Sequence, residues 1–321
     1  MKIITFQDIA NLKIPPSVCY DWAERMIKNK HQTVLPPKIS MKQSNGVFCN
    51  IMPSIIPGLS DTKWAGLKMV TRYPNRVPSL QSQILLMNAI NGELLALMDG
   101  TWITAMRTGA VAAHSILLFG RKNFSTIGIM GLGNVVRSTL IILADKLPNR
   151  HLYIKLLKYK QQEEDLVLRF AKYKNLHFSF VDSPNEMVKE SDIVISGATY
   201  LANDVCSDEY FDKGVLLLPI HTLGFTNCDL FFDKVFADDL EHVHHFKNFD
   251  KFKQFAEVCD VVNGNKTGRE NDEERILVYN IGVSIHDISF AASIYKLMED
   301  SGKLSSKIDV DLKEPTEKFW V

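Results

Sequence analysis

The chain has 321 residues, 46% hydrophobic and 23% charged, which is long for a single core and favours two lobes. Its 37 basic and 37 acidic side chains cancel, which argues against a nucleic-acid or membrane-surface partner. The five cysteines show no CxxC spacing, so they favour reduced cytosolic thiols over a disulfide framework or a zinc site.

The first hundred residues predict one helix followed by a sheet. The helix is expected over residues 16–29, where Val18, Trp22 and Met26 fall on one face. Short strands are expected over residues 46–52, 64–71, 82–88 and 94–98, with turns at 53–60, 74–78 and 91–92. Strands joined by turns without intervening helices indicate an antiparallel or mixed sheet.

A second helix is predicted over residues 101–115, with one arginine, Arg107, among small and apolar residues. Arginine cannot lose its charge, so this guanidinium needs an anionic partner. Its planar fork suits bidentate binding of a substrate carboxylate, and a structural Asp or Glu is the alternative partner.

From residue 124 the pattern changes to alternating strands and helices, which is typical of a parallel, doubly wound sheet. Strands are predicted over residues 126–130, 152–157, 177–181, 193–196, 215–218, 234–236 and 276–279, and helices over 163–173, 183–190 and 282–299. Residues 127–144 are apolar enough to resemble a membrane span, but their glycine cluster and Arg137 fit a strand, turn and helix better. The first ten residues lack the apolar core of a signal peptide, so we expect a cytoplasmic protein.

A glycine turn follows the first of these strands and opens a helix, which is the usual cradle for a dinucleotide pyrophosphate. The predicted cofactor-binding residues are Gly131, Leu132, Gly133, Asn134, Val135, Lys158 and Thr199. Val136 occupies the third glycine position of a GxGxxG fingerprint, so a plain strand-to-helix turn is the alternative. Lys158 stands where an acidic residue would take the ribose 2′-hydroxyl of NAD. It therefore favours NADP slightly, and a solvated lysine is the alternative.

In this order, the motifs resemble the ornithine cyclodeaminase and mu-crystallin family. The resembling segments are AGLKMV at 65–70 before Pro74, NG at 91–92, LALMDG at 95–100, ITAMRTGA at 103–110, the turn from Gly131, VVNG at 261–264, Gly268-Arg269, Asp272-Glu273-Glu274 and Asp287. The resemblance implies an α/β fold in which a Rossmann-type doubly wound parallel sheet is inserted into an α+β substrate and dimerisation domain. The predicted bounds are residues 119–282 for the NAD(P)-binding domain and residues 1–118 plus 283–321 for the other domain.

The resemblance also implies roles for individual side chains. Arg107 would grip the substrate carboxylate, and Lys38 would be a second ligand where many relatives have arginine; an exposed loop lysine is the alternative for Lys38. Lys68 would stand beside the reacting α-carbon, where an ammonium polarises C=O or C=N or shuttles a proton. A lysine whose stem covers apolar surface while its charge reaches water is the alternative.

Two departures from the family weigh against ornithine cyclisation. Asn50 stands where cyclodeaminases carry a glutamate, and we predict that it contacts the substrate. No acid aligns after the strand at 215–218, where cyclodeaminases use an aspartate. His221 is a candidate replacement acid or base. A structural histidine is the alternative, and Asp229 is the nearest other acid.

Residues and resemblance together predict an NAD(P)-dependent oxidoreductase that acts at the α-carbon of an amino acid or its imine. The expected partners are a small amino or keto acid and, through the resemblance, a second copy of the chain, with no nucleic acid and no membrane. One alternative is a lyase that converts ornithine to proline and ammonia. The other is an NADPH-binding protein without activity, of the mu-crystallin type.

No metal site is predicted. The histidines at 242, 244 and 245 lie too close in sequence to converge readily on one ion, and they follow Asp238-Asp239 in a segment expected at the surface. The basic stretch at 247–253, interleaved with phenylalanines, predicts an amphipathic helix in preference to a nucleic-acid patch.

Overall fold

The computed structural model describes residues 1–58, 62–198, 201, 205–220 and 229–311, which divide into two compact units. Unit 1 comprises Met1–Lys13, Thr33–Ile103 and Asp287–Val321, and unit 2 comprises Ile14–Gln32 and Thr104–His286. The domain bounds given above from the sequence stay a prediction.

Eight α-helices occur among the described residues. They are α1 (Phe6–Ala10), α2 (Pro16–Lys28), α3 (Thr101–Phe119), α4 (Asn134–Lys146), α5 (Gln162–Phe170), α6 (Pro184–Val188), α7 (Val258–Val262) and α8 (Ser284–Asp300). Local signals begin several of them: Thr5 and Asp8 form a capping box at α1, and Pro16 occupies the first turn of α2. In the described part of the chain, no helix is long and apolar enough to cross a membrane.

Unit 1 contains a mixed sheet with six strands among the described residues. The sequence predicts such a sheet but only four of its strands, and misses those at residues 2–4 and 39–42. Its strands are β1 (Lys2–Ile4), β2 (Ile39–Lys42), β3 (Phe48–Pro57), β4 (Lys63–Arg72), β5 (Leu80–Asn88) and β6 (Leu94–Asp99), in the order β1-β6-β5-β4-β3-β2. Only β1 runs parallel to its neighbour, β6. The predicted turn at 53–60 is wrong over its first half, because β3 continues to Pro57. Pro53 and Pro57 lie beyond the part of β3 that pairs with β2, which is Phe48–Ile51. A missing N–H costs little there because β2 offers no carbonyl to receive it.

The two faces of this sheet differ in what covers them. On one face α8 packs against β4: a Cβ at Gly66 would meet Ile288 Cδ1 at 2.7 Å, and the Trp64 and Tyr295 rings are 6.2 Å apart. The opposite face is apolar and exposed. Its exposed side chains, aligned by the strand register, are Ile39, Met41, Ile55, Met69 and Leu97.

Unit 2 contains an eight-stranded, fully parallel sheet, which confirms the predicted Rossmann-type class. Its strands are β7 (Thr126–Met130), β8 (Leu152–Leu157), β9 (Leu176–Val181), β10 (Ile193–Ser196), β11 (Leu216–Pro219), β12 (Lys234–Ala237), β13 (Phe255–Glu257) and β14 (Ile276–Tyr279), in the order β13-β12-β14-β11-β10-β7-β8-β9. The chain proceeds from β7 outwards to β9 and then returns to β10 on the other side of β7. A doubly wound sheet binds its ligand at this switch point.

Four strands of this sheet, β10, β11, β12 and β14, are buried along their whole length, as expected for a parallel sheet covered on both faces. Arg269 links three separate segments of unit 2 by donating hydrogen bonds to backbone carbonyls. Its Nε donates to Phe119 O at 2.7 Å, Nη1 to Glu274 O at 2.6 Å, and Nη2 to Gly214 O at 3.0 Å. The Gly268-Arg269 motif thus has a structural role.

The amphipathic helix predicted at 247–253 is wrong. Only a 3₁₀ turn, Phe249–Lys251, forms there. Phe246 and Phe252 pack against the Tyr279 ring, at centroid distances of 5.1 and 6.4 Å, at the edge of the core of unit 2. An aromatic spacing of three residues fits a 3₁₀ turn as well as an α-helix, and the packing selects the turn.

We predict an acid-side loss of stability caused by His114 of α3. This ring is 3% exposed, its Nδ1 has no hydrogen-bond partner among the described residues, and burial, with a smaller effect of Lys28, lowers its pKa to about 4. As the pH falls from about 6.5 to about 4, His114 becomes protonated in the unfolded state but stays neutral in the folded state. The free energy of unfolding should fall by up to about 3 kcal/mol over this window.

Urea denaturation at several pH values measures this slope for the wild type and for His114→Leu, in which it should diminish. His244→Gln, at an exposed histidine, is the control and should keep the wild-type slope. An unchanged slope in His114→Leu would contradict the assignment.

Candidate active site

The most buried charged pair described in unit 1 joins Lys68 of β4 to Asp287 of α8. Lys68 Nζ lies 2.7 Å from Asp287 Oδ2, and the two side chains are 1% and 0% exposed. The predicted alternative for Lys68, a side chain that reaches water, is therefore wrong. A lysine kept charged next to a carboxylate in a dry setting can donate a strong, charge-assisted hydrogen bond.

The strand register places two further predicted site residues on the sheet face of Lys68. Met52 of β3 is paired with Lys68, and Asn50 precedes Met52 by two residues, so Asn50 and Lys68 share a face. Lys38 immediately precedes β2, whose Ser40 is paired with Asn50. Lys38 is half-buried, so the exposed-lysine alternative does not describe it fully.

Arg107 of α3, in unit 2, is 2% exposed. Its charge acts on Asp238, which follows β12 and is itself buried. Asp238 accepts hydrogen bonds from Asn280 Nδ2 at 2.8 Å and from Gly282 N at 3.1 Å. Burial raises the pKa of Asp238, while these bonds and the Arg107 charge oppose the rise. The effect of the Arg107 charge on Asp238 supports the alternative that Arg107 has a structural acid partner. A guanidinium has five N–H donors, more than one carboxylate uses, so this does not exclude a substrate carboxylate as a second partner.

The glycine turn has the form of a phosphate cradle. Gly131 has φ +79°, and a Cβ there would lie 2.5 Å from Ala198 N, so only glycine fits. Gly133 caps α4 without a side-chain cap bond, and a Cβ there would meet no described atom within 4 Å. As far as the described residues show, the space beside Gly133 at the N-terminus of α4 is open, which suits a pyrophosphate.

Val136 replaces the third fingerprint glycine, and the neighbouring strand makes room for it. A Cβ on Gly197 would lie 2.7 Å from Val136 Cγ2, so the close approach of helix and sheet depends on Gly197. Leu132 is buried, Val135 half-buried and Asn134 exposed. The incomplete fingerprint is thus compatible with the cradle.

Lys158, after β8, is engaged by a carboxylate. Its Nζ donates to Asp182 Oδ1 at 2.8 Å, and this bond raises the pKa of Lys158. The ammonium stays charged, but a 2′-phosphate would have to compete with Asp182 for it.

Two predicted residues, His221 and Thr199, lie outside the described residues. Asp229, named as the nearest other acid, is 3% exposed and accepts a bond from Asn248 Nδ2 at 2.8 Å. Burial raises the pKa of Asp229.

Sequence reasoning missed two acids of these sites. Asp287 belongs to the segments that resemble the family, but the resemblance gives it no role. A lone acid inside an apolar helix pattern is the same kind of signal as Arg107. Asp238 comes at the carboxyl end of a predicted strand, where parallel sheets place functional groups. Its partner Asn280 sits at the end of β14, and the pairing is visible only in the fold.

The segment expected at the surface around 238–245 is instead buried in part. Asp238, Asp239 and His242 are 7%, 5% and 6% exposed, whereas His244 and His245 are exposed. His242 Nδ1 lies 2.6 Å from Asp239 Oδ2. Burial of these carboxylates is tolerated because each has hydrogen-bond donors.

Comparison with known proteins shows which family the chain matches. The profile of the ornithine cyclodeaminase/mu-crystallin family matches residues 22–302. A Delta(1)-pyrroline-2-carboxylate reductase of Bacillus cereus is 28% identical over 283 residues, covering 81% of this chain and 84% of that protein.

Two solved structures match nearly the whole fold. One, an archaeal alanine dehydrogenase dimer with bound NAD, gives a TM-score of 0.83 at 22% identity, over 96% of this chain and 99% of that chain. The other, Thermococcus litoralis Delta(1)-pyrroline-2-carboxylate reductase in complex with NADH and L-proline, gives 0.82 at 23% identity, over 94% and 98%. Both confirm the predicted fold class.

A matched pair of glycine substitutions tests the cradle. Gly131→Ala forces a Cβ into backbone atoms at positive φ, so it should lower the free energy of unfolding by about 1–3 kcal/mol. Gly133→Ala meets no described atom, so it should melt like the wild type. Its methyl group would occupy the space that a pyrophosphate enters and should weaken NADH binding by more than about tenfold.

Thermal melts and fluorescence titration with NADH separate the two effects. Wild-type NADH affinity in Gly133→Ala would show that the cofactor phosphates lie elsewhere.

Proposed function

This chain belongs to the ornithine cyclodeaminase/mu-crystallin family, and we propose that it is a nicotinamide-dependent oxidoreductase acting at the α-carbon of an amino acid or of its imine. The observation that carries the proposal is the buried Lys68–Asp287 pair. The comparisons support the proposal because the relatives include a Delta(1)-pyrroline-2-carboxylate reductase and an alanine dehydrogenase.

Lys68 is proposed to act on the reacting C=N or C=O group. Asp287 lies against the Lys68 ammonium, and exclusion of water strengthens the field of this ammonium at a polarised double bond. In the reductive direction the ammonium stabilises the substrate nitrogen or oxygen as it gains electron density, and it can pass a proton to that atom from Nζ. When bound, the nicotinamide supplies or accepts the hydride.

Arg107 and Lys38 are proposed as carboxylate ligands of the substrate. A guanidinium binds a carboxylate through two parallel N–H bonds, whereas an ammonium contributes a point charge. Asp238 would then orient Arg107 from the opposite side, since Asn280 and Gly282 hold that carboxylate in place. This arrangement would fix the α-carbon for reaction and leave side-chain selectivity to other groups.

Asn50 favours this activity over ornithine cyclisation. It lies on the Lys68 face of the sheet, at the position where cyclodeaminases carry a glutamate. An amide can hydrogen-bond a substrate but cannot take up a proton near neutral pH. The cyclising lyase needs a carboxylate for the side-chain amine, and this position does not supply one.

The cofactor is proposed to bind at the Gly131–Val135 turn through the N-terminus of α4. The slight preference for NADP rests on Lys158 alone, and Asp182 already neutralises that charge. Comparing the two cofactors in Lys158→Ala therefore belongs in any assay.

A homodimer formed through the outer face of the six-stranded sheet is also proposed. Ile39, Met41 and Met69 are 60%, 51% and 37% exposed on a face whose neighbouring strands are also apolar. An apolar patch on a regular sheet is typical of an interface, and one matching solved structure is a dimer.

The activity is tested with NADH and NADPH against Δ¹-pyrroline-2-carboxylate and other imino and keto acids, and with NAD and NADP against alanine and proline. Lys68→Met should lower kcat/KM by about a thousandfold. It also removes the positive charge that lies 2.7 Å from the buried Asp287 carboxylate, so stability should fall. The double variant Lys68→Met/Asp287→Leu should recover stability but not activity.

Lys63→Met, at an exposed lysine of the same strand, is the control and should keep wild-type activity. Proline formed from ornithine without net change in cofactor absorbance would establish the lyase instead. Full turnover in Lys68→Met would remove Lys68 from the mechanism.

The dimer is tested by Met69→Asp and Leu97→Asp, which place charges on the exposed sheet face. Both should shift the protein from dimer to monomer in sedimentation velocity, because a carboxylate would be buried without a partner. Leu168→Asp, at a 76% exposed leucine of α5, is the control and should leave the dimer intact. Dimers in all three variants would place the interface elsewhere.

A further inference from the structure

A cluster of metal-ligating side chains lies in unit 2, away from the glycine turn and Arg107 in sequence. His31 belongs to the 3₁₀ turn Lys30–Gln32 that follows α2, Glu257 ends β13, and Cys259 lies in α7. One ligand atom from each of the three lies within 4.8 Å of the others. The histidine and the cysteine are 228 positions apart, so no local spacing in the sequence reveals the cluster.

The distances between the donor atoms resemble the edges of a tetrahedron around zinc. Cys259 Sγ lies 3.5 Å from His31 Nε2 and 3.3 Å from Glu257 Oε2. With Zn–S near 2.3 Å and Zn–N or Zn–O near 2.0–2.2 Å, tetrahedral edges are about 3.3–3.6 Å. Asp260 Oδ1, 3.0 Å from His31 Nε2, stands beside the group as a further oxygen donor.

The same geometry speaks against a nucleophilic triad. Cys259 Sγ and Asp260 Oδ1 both contact Nε2 of His31. In a Cys-His-Asp triad the nucleophile and the orienting acid contact different ring nitrogens, so that one holds the tautomer that activates the other. Two partners on one nitrogen fit convergence on a cation better than a proton relay.

The local charge favours a cation. Three carboxylates, those of Glu257, Asp260 and Asp239, face one ammonium, that of Lys30. Lys30 Nζ lies 2.6 Å from Glu257 Oε2 and 2.7 Å from Asp239 Oδ1, so Asp239 can retain the lysine when Glu257 turns to an ion. The negative excess offsets the cost of bringing in a divalent charge.

We propose that His31, Glu257 and Cys259 bind a divalent transition-metal ion of the Zn²⁺ class, with Asp260 or water as the fourth ligand. Imidazole, thiolate and carboxylate are a zinc donor set. On binding, the Cys259 S–H bond breaks, a Zn–S bond forms and one proton leaves to the buffer. The ion links the turn after α2 to α7 and stabilises unit 2, and this role is independent of the proposed catalytic activity.

The test starts from full-length protein stripped with a chelator and titrated with Zn²⁺ alone by calorimetry in buffers of different ionisation enthalpy. We expect one site, release of about one proton and a raised melting temperature. Co²⁺ should give the intense visible bands and the thiolate charge-transfer absorption of a tetrahedral Co–S site. His31→Ala, at a half-exposed histidine, and Cys259→Ser should each weaken Zn²⁺ binding by more than about tenfold, and Cys259→Ser should also remove the charge-transfer band, which comes from the thiolate.

The control variants are Cys19→Ser, at another buried thiol, and His151→Ala, at the exposed His151–His177 pair. Both should bind Zn²⁺ like the wild type. Unaltered affinity in His31→Ala, or loss of binding in His151→Ala, would overturn the assignment. Oxidoreductase activity is measured in parallel, so failure of the metal site and failure of the proposed reaction are separate results.

Discussion

The buried contact between Lys68 and Asp287 is the interaction on which unit 1 depends. Each charge is almost completely removed from water, which is costly, and their 2.7 Å contact offsets that cost only while both are present. Because β4 comes from the first hundred residues and α8 from the last forty, unit 1 is complete only when both ends of the chain meet. The fold thus places the Lys68 side chain and its carboxylate partner out of contact with water.

In unit 2, too, a buried charged group is stabilised by partners that are distant in sequence, including a backbone N–H group. Two of its buried parallel strands, β12 and β14, are each followed by a buried polar residue. Asp238 after β12 and Asn280 after β14 bond each other, and Gly282 N completes the set. In a full fingerprint, all the glycines that allow close packing lie in one turn. Here Gly131 follows β7 and Gly197 follows β10, and both allow the turn, α4 and the neighbouring strand to pack closely.

These arrangements explain how one family fold can serve several reactions. Holding a carboxylate, a polarising lysine and a nicotinamide is common to dehydrogenation and imine reduction, whereas cyclisation needs a further carboxylate. In the proposed function, Asn50 on the Lys68 face marks this difference, since its amide does not take up a proton near neutral pH. A fold alone would not separate these activities, because function belongs to the site.

The sequence by itself determined the alternation of strands and helices, the glycine turn and the unusual Arg107, because periodicity, glycine and an isolated charge are local signals. It also predicted four of the six strands of the first sheet and seven of the eight strands of the second. It missed the short strands β1, β2 and β13, and it was wrong about the proline run in β3, the aromatic run near Phe249 and the burial of Asp238 and Asp239. Tertiary structure alone decided which charges meet. Asp287 for Lys68, Asp238 beside Arg107 and Cys259 for His31 are each separated by more than a hundred residues, and burial, which makes those pairings matter, is a property of the packed chain.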